Sequence, residues 1–229
     1  MNENRTLSVI SLGCAKNLVN TEQMLALLDN AGFEIIPSPE GADIVLINTC
    51  GFIDSAKKEA IDTILEVAGL KAEGKCGKII VTGCLAERYK DTILQELPEI
   101  DAVLGVGSFE KIVMAANAVL NGESFTAFDN QSAPVPELPR IITTGPSWAW
   151  LRIAEGCNNF CAFCAIPFIR GRYRSRSMED IIAEATELAG HGIKEIIVIA
   201  QDITRYGTDL YGKRCLSELI RKLSEIDGI

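Results

Sequence analysis

The sequence predicts an α/β chain with two unlike parts. A doubly wound parallel sheet at the N-terminal end is followed by the start of a (βα) partial barrel. Three observations support this. Short apolar runs alternate with helical stretches over residues 1–122, which implies parallel strands covered on both faces. Those runs lack period-two alternation, as expected of strands buried on both sides. Four of the eight prolines then fall between Gly122 and Ser147, and this change of texture sets residues 148–229 apart.

Residues 6–12 form a β-rich run ending at Gly13-Cys14. Met24, Leu25, Leu27 and Leu28 make a helical stripe that Gly32 stops. Residues 33–36 and 43–47 read as the second and third strands, the latter closed by Asn48-Thr49-Cys50-Gly51, with a helix expected over 54–70. Residues 78–81 are the fourth strand, ending in Thr82-Gly83-Cys84, and helical sequence resumes through Leu97. Residues 101–104 are the fifth, with Ser108 as cap of a helix running to Leu120. Residues 123–147 read as a Pro-rich linker. A strand begins at Trp148, a helix capped by Ser177 and Asp180 covers 178–189, and 194–200 is a strand before a helix over 214–226.

At 229 residues the chain has room for one large domain or two modest ones. No run reaches the roughly 18 apolar residues of a membrane span. Met1-Asn2-Glu3-Asn4-Arg5 has neither the basic region nor the apolar core of a signal peptide, so a cytoplasmic protein without a membrane partner is expected. A net charge of −9 argues against broad, non-specific nucleic-acid binding. Eight cysteines in such a chain suit metal ligation or catalysis better than disulfides.

Six of those cysteines form two sets. Cys157, Cys161 and Cys164 give a C-x-x-x-C-x-x-C run in one loop after an apolar segment. Three thiolates can hold three corners of a [4Fe-4S] cluster and leave one iron open to a small molecule; the expectation is that it binds S-adenosylmethionine and cleaves it reductively. A zinc knuckle or ferredoxin-type loop would bring a fourth Cys or His nearby. The one histidine, His191, instead sits at an expected helix end. Phe163 either shields the cluster or contacts a bound adenine, or it packs in the core. Cys14, Cys50 and Cys84 each follow a strand (the first, third and fourth), at the sheet edge where ligand sites form. Each has a glycine beside it, which allows close backbone approach. They read as ligands of a second cluster; the alternatives are buried small hydrophobes or structural zinc. Cys76 and Cys215 read as structural. Arg170, Arg172, Arg174 and Arg176 either hold a carboxylate or acidic substrate segment or form a solvated loop. Gly105-Val106-Gly107 lacks the third glycine of a dinucleotide fingerprint and reads as a turn.

Ser11-Leu12-Gly13-Cys14-Ala15-Lys16-Asn17, Ile47-Asn48-Thr49-Cys50-Gly51-Phe52-Ile53 and Thr82-Gly83-Cys84 resemble the N-terminal domain of the methylthiotransferases, radical S-adenosylmethionine enzymes. Residues 155–167, with Arg170-Gly171 and Ser175-Arg176, resemble their radical loop. The resemblance implies two [4Fe-4S] clusters, with Cys157, Cys161 and Cys164 as catalytic ligands and Cys14, Cys50 and Cys84 holding the auxiliary cluster. It also implies a 5′-deoxyadenosyl radical that takes hydrogen from the substrate, sulfur delivered at the auxiliary site, and a second S-adenosylmethionine as methyl source. Of the family's two branches, Lys16-Asn17, Cys50-Gly51-Phe52-Ile53, Ala200-Gln201-Asp202 and Tyr206-Gly207 are similar to the one that modifies an aspartate β-carbon of small-subunit ribosomal protein twelve. A tRNA adenosine methylthiotransferase and a non-catalytic iron–sulfur fragment are the alternatives. Ala15 stands where the family commonly has proline. Residues 148–229 give room for about two βα units of a barrel, and the family's small C-terminal β domain is not in the sequence, so a truncated chain is expected.

Overall fold

The computed structural model describes residues 5–229; Met1 to Asn4, where leader features were sought, lie outside the described residues. The chain divides into two compact units. One runs to Gln131 and takes in Pro139–Ile141; the other comprises Ser132–Leu138 and Ile142–Ile229.

Six strands build the sheet of the first unit: β1 (Arg5–Ser11), β2 (Phe33–Ile35), β3 (Ile44–Thr49), β4 (Lys78–Gly83), β5 (Ala102–Leu104) and β6 (Phe125–Ala127). All pairings are parallel and the order is β2-β1-β3-β4-β5-β6. Parallel neighbours need crossovers, which α1 (Ala15–Asn30), α2 (Asp54–Ala72), the short helices α3 (Cys84–Arg88) and α4 (Ile93–Glu96), and α5 (Ile112–Leu120) provide. Every residue of β3 is buried, the signature of a strand covered on both faces. Val45, Ile47, Ile79 and Val81 face a core completed by Ile64 and Val67 of α2. Each fully buried side chain of this size is worth about 1.5–3 kcal/mol. Helix α1 packs with α5.

Three local details depart from the sequence reading. The helix expected to run through Leu97 breaks into α3 and α4. Ser108 precedes a 3-10 turn (Phe109–Lys111) and makes no side-chain cap; its hydroxyl instead donates to Asp129 Oδ2 at 2.8 Å. β6, three residues long, lies within the stretch read as linker.

The second unit begins with β7 (Trp148–Arg152) and β8 (Ala154–Glu155). A single turn, α6 (Ile166–Ile169), and β9 (Arg174–Ser175) follow, then α7 (Met178–Gly190), β10 (Glu195–Ile199) and α8 (Leu216–Ser224). β7 and β10 pair in parallel, with α7 as their crossover, so the unit is the start of a (βα) barrel. Its core gathers Leu151, Ile153, Ile181, Tyr206 and Leu219. Ser177 caps α7 by accepting from the Asp180 amide, and His191 ends that helix as expected.

Within the stretch read as linker, Glu137 pairs with buried Arg176 in the second unit. Arg140 pairs with fully buried Glu22 of α1 in the first, at 2.6 Å. Among the described residues, no helix is long and apolar enough to cross a membrane.

Candidate functional site

The order β2-β1-β3-β4 places the topological switch between β1 and β3, where chains of this architecture open a crevice at the carboxyl ends of the strands. Cys14 and Cys50 flank that switch, and Cys84 follows the next strand, β4. Cys14 is exposed, Cys50 half-buried and Cys84 buried; none of the eight cysteines forms a disulfide. The neighbouring glycines explain how the loops fit. A Cβ on Gly13, whose φ is +95°, would stand 2.8 Å from Cys50 Cβ. One on Gly51 would stand 2.7 Å from Leu85 Cα, in the turn that Cys84 opens. Side chains at these positions would force the three loops apart.

The second set lies between β8 and β9, which pair antiparallel through Ala154 with Ser175 and Glu155 with Arg174. The loop leaves β8 at Gly156 (φ +75°), where a Cβ would meet Arg172 O at 2.1 Å. The Cys157 amide donates to Gly171 O at 3.1 Å, and the Cys164 amide closes a turn onto Cys161 O at 2.9 Å. The Tyr173 amide donates to Asn158 Oδ1 at 3.0 Å. Cys157 is buried, Cys161 exposed and Cys164 half-buried.

Between the cysteines the backbone is strained. Phe160, at φ 47°, is the one non-glycine residue with positive φ among those described, a conformation that costs about 1–2 kcal/mol. Its ring is held edge-on by Phe168 at 6.1 Å and covered by the Arg172 guanidinium at 5.9 Å. Phe163 is 90% exposed, which overturns the core-packing alternative and leaves its ring at the open face of the loop.

Below the loop lies a charged network. Glu155 Oε2 accepts from Arg170 Nη1 at 2.8 Å and Arg152 Nη1 at 3.3 Å. Its Oε1 accepts from Gln201 Nε2 at 2.7 Å and from the Gly156 amide at 3.1 Å. Burial pulls Arg152 down to about 10, with Glu155 opposing, so it stays charged at neutral pH. Burial alone would lower Arg176 too, yet the hydrogen bonds it donates to Glu137 and the charge of Glu184 hold it above the ordinary arginine value. The arginine run is not a solvated loop, and the carboxylates it holds are the chain's own. Arg170 and Arg176 are buried and paired with internal carboxylates, Arg174 is half-buried with its Nη1 on backbone carbonyls, and only Arg172 is exposed.

Sequence reasoning assigned no role to Arg152, Glu155, Gln201 or Asn17. Glu155 carried a signal, a lone carboxylate at the end of an apolar strand and two residues before Cys157. Gln201 and Asn17 did not, because Glu155, Thr49 and Cys84, which they meet, are far away in sequence; Arg152 meets Glu155 only three residues on, but inside an apolar strand that gave no sign of a buried pair.

Among the described residues, no three His, Cys, Asp or Glu side chains stand together as a ready-made metal cage; it is the loops that are gathered. The donor chemistry still fits iron–sulfur ligation. Each set offers three thiols and no nitrogen or carboxylate ligand, and glycines clear the space around Cys50 and beside Cys157.

Comparison with known proteins agrees with this division. Uncharacterized protein family UPF0004 matches residues 6–105, and the Radical SAM superfamily matches residues 151–227. The second unit is thus the opening part of a radical SAM domain. Ribosomal protein uS12 methylthiotransferase RimO from Caldicellulosiruptor saccharolyticus is 52% identical over 96% of this chain and 50% of its own length. The protein of the same name from Acetivibrio thermocellus is 49% identical over 98% of this chain and 51% of its own. The chain belongs to the methylthiotransferase family of radical S-adenosylmethionine proteins, and it spans about half the length of the curated relatives it matches. Its fold resembles that of the radical S-adenosylmethionine methyltransferase TsrM from Kitasatospora setae, with a TM-score of 0.62 at 13% identity, covering 98% of this chain and 52% of that one.

Proposed function

We propose that this chain supplies both iron–sulfur sites of an enzyme that methylthiolates ribosomal protein uS12 in the cytoplasm, at the β-carbon of an aspartate. The observation that carries the reading is the loop of residues 157–164. It presents three thiols within eight residues, and Glu155, buried behind it, accepts from the Gly156 amide that leads into Cys157. Cys157, Cys161 and Cys164 would hold one [4Fe-4S] cluster, and Cys14, Cys50 and Cys84 the other. When bound, the clusters and S-adenosylmethionine supply reductive sulfonium cleavage and the sulfur to be transferred.

The chain's own residues position and shield. Three thiolates rather than four leave a coordination position for the amino acid end of S-adenosylmethionine. Phe163 would cover that open face against water and meet the adenine. Uniform thiol donors in each set favour iron–sulfur over hard cations. The substrate follows the name the relatives carry, together with the wording at Lys16-Asn17, Cys50-Gly51-Phe52-Ile53 and Gln201-Asp202.

Anaerobic reconstitution of the Cys157→Ala variant tests the first site. It should retain roughly half of the iron, about four atoms, and form no 5′-deoxyadenosine from S-adenosylmethionine under reduction. Undiminished cleavage would overturn the assignment. Mass analysis of uS12 and of tRNA from a deletion strain tests the substrate; loss of the methylthio group from tRNA alone would move the enzyme to the other branch.

A further inference from the structure

We propose that Asn17 is the positioning residue of the first cysteine set, a single carboxamide that ties together the three loops bearing Cys14, Cys50 and Cys84. The inference rests on the reading that these cysteines hold a cluster.

Asn17 lies in the first turn of α1 and is 1% exposed. Asparagine is a poor helix former because its side chain competes for backbone groups, and here it does so across the sheet edge. Nδ2 donates to Leu12 O at 3.0 Å, two residues before Cys14, and to Thr49 O at 2.9 Å, immediately before Cys50. Two carbonyl acceptors use both amide hydrogens and fix which way the group faces. The remaining atom, Oδ1, accepts from the Cys84 thiol at 3.7 Å, which holds that sulfur before it ligates; ligation would take the thiol proton, leaving the two Nδ2 bonds as the ones that persist. One planar group thus touches the chain leading to Cys14, the chain leading to Cys50, and the Cys84 sulfur itself.

These loops are far apart in sequence, and nothing local would keep them in register with one another. Asn48 sharpens the contrast. Its Nδ2 donates to Asn17 O at 2.8 Å and to Thr21 Oγ1 at 2.9 Å. It belongs to the same buried polar network, yet its side chain donates to no cysteine loop. Aspartate at position 17 would turn two donors into acceptors facing two carbonyls, and leucine would fill the space but hold nothing. Residues that orient metal ligands typically change metal affinity by about 10- to 100-fold when removed.

The test uses the full chain with Cys157, Cys161 and Cys164 changed to alanine, so that only the first set can load. Iron content, the rate of iron loss to a chelator, the reduced-state electron paramagnetic resonance signal and the apo-protein melting temperature are measured for this parent, Asn17→Ala and Asn48→Ala. Asn17→Ala should lose iron about tenfold faster or more, with an altered resonance signal, while Asn48→Ala keeps the parent's rate and signal at a comparable melting temperature. If Asn17→Ala releases iron at the parent's rate with an unchanged signal, the proposal is wrong. If both variants lose iron in proportion to lost stability, Asn17 is merely structural and the proposal is also wrong. A parent that binds no iron would instead remove the cluster reading beneath it. Should the alanine variant melt below the assay temperature, Asn17→Gln, which carries the carboxamide one methylene further out, replaces it under the same criteria.

Discussion

Glu155 accepts from two guanidiniums, a carboxamide and a backbone amide while almost wholly buried. Removing one partner from a buried charged group leaves the others uncompensated, which costs about 3–5 kcal/mol. Glu155→Ala should therefore lower unfolding stability by that amount in a denaturant titration. Arg172→Ala, which removes an exposed cation from the face of Phe160, should cost about 1 kcal/mol or less. Similar losses for the two would contradict the network. Glu87 offers a pH test in the other unit. Burial raises its carboxyl above the ordinary 4.5, with Lys90 and the Val106 amide opposing. A carboxyl with a raised folded-state pKa contributes its stability below its unfolded value, and that stability is lost as pH climbs through the folded value. Glu87→Gln should match the wild type in acid and become progressively more stable than it from above pH 4.5 toward neutrality. A stability difference independent of pH would refute the desolvation.

At the scale of elements, glycines at strand ends and in helices have opposite roles. A methyl on Gly51 would meet the Leu85 and Cys84 backbone at 2.7–2.9 Å, whereas one on Gly69 of α2 meets nothing within 4 Å. Gly69→Ala should stabilise the chain by about 0.4–1 kcal/mol, and Gly51→Ala should destabilise it and loosen iron at the first set. Thermal melts and iron content check both. The cysteine positions were legible in the sequence because strand, glycine and cysteine are adjacent in the chain. Strands β2 to β5 were legible for the same local reason, an apolar run with turn residues at its end. β6 was not, since Phe125-Thr126-Ala127 is too short to show a period and sits among turn residues. The fate of the arginines was hidden too. Arg170, Arg172, Arg174 and Arg176 look alike in the chain, and only the pairing of β8 with β9 decides which of them meet Glu155 or Glu184 and which reach solvent. Asn17 was read only as part of a motif, because its partners are Leu12, Thr49 and Cys84, on three separate loops.

Over the whole chain, acidic charge and two separately built cysteine sets set the expectations. With a net charge of −9, the chain should show no salt-sensitive retention of random-sequence RNA in a mobility-shift assay near physiological salt; retention that weakens as salt rises would reveal a basic surface the totals conceal. The sheet order has a further consequence, for the timing of metal loading. The thiols of residues 157–164 are neighbours in any conformation, so a freshly made or unfolded chain already offers them to iron. The loops that bear Cys14, Cys50 and Cys84 come together only after β1, β3 and β4 have paired, through long crossovers that are slow to close. With the ligands proposed above, one set would be able to capture metal before folding whereas the other would have to wait for the sheet, and maturation of the holoprotein would have a built-in order.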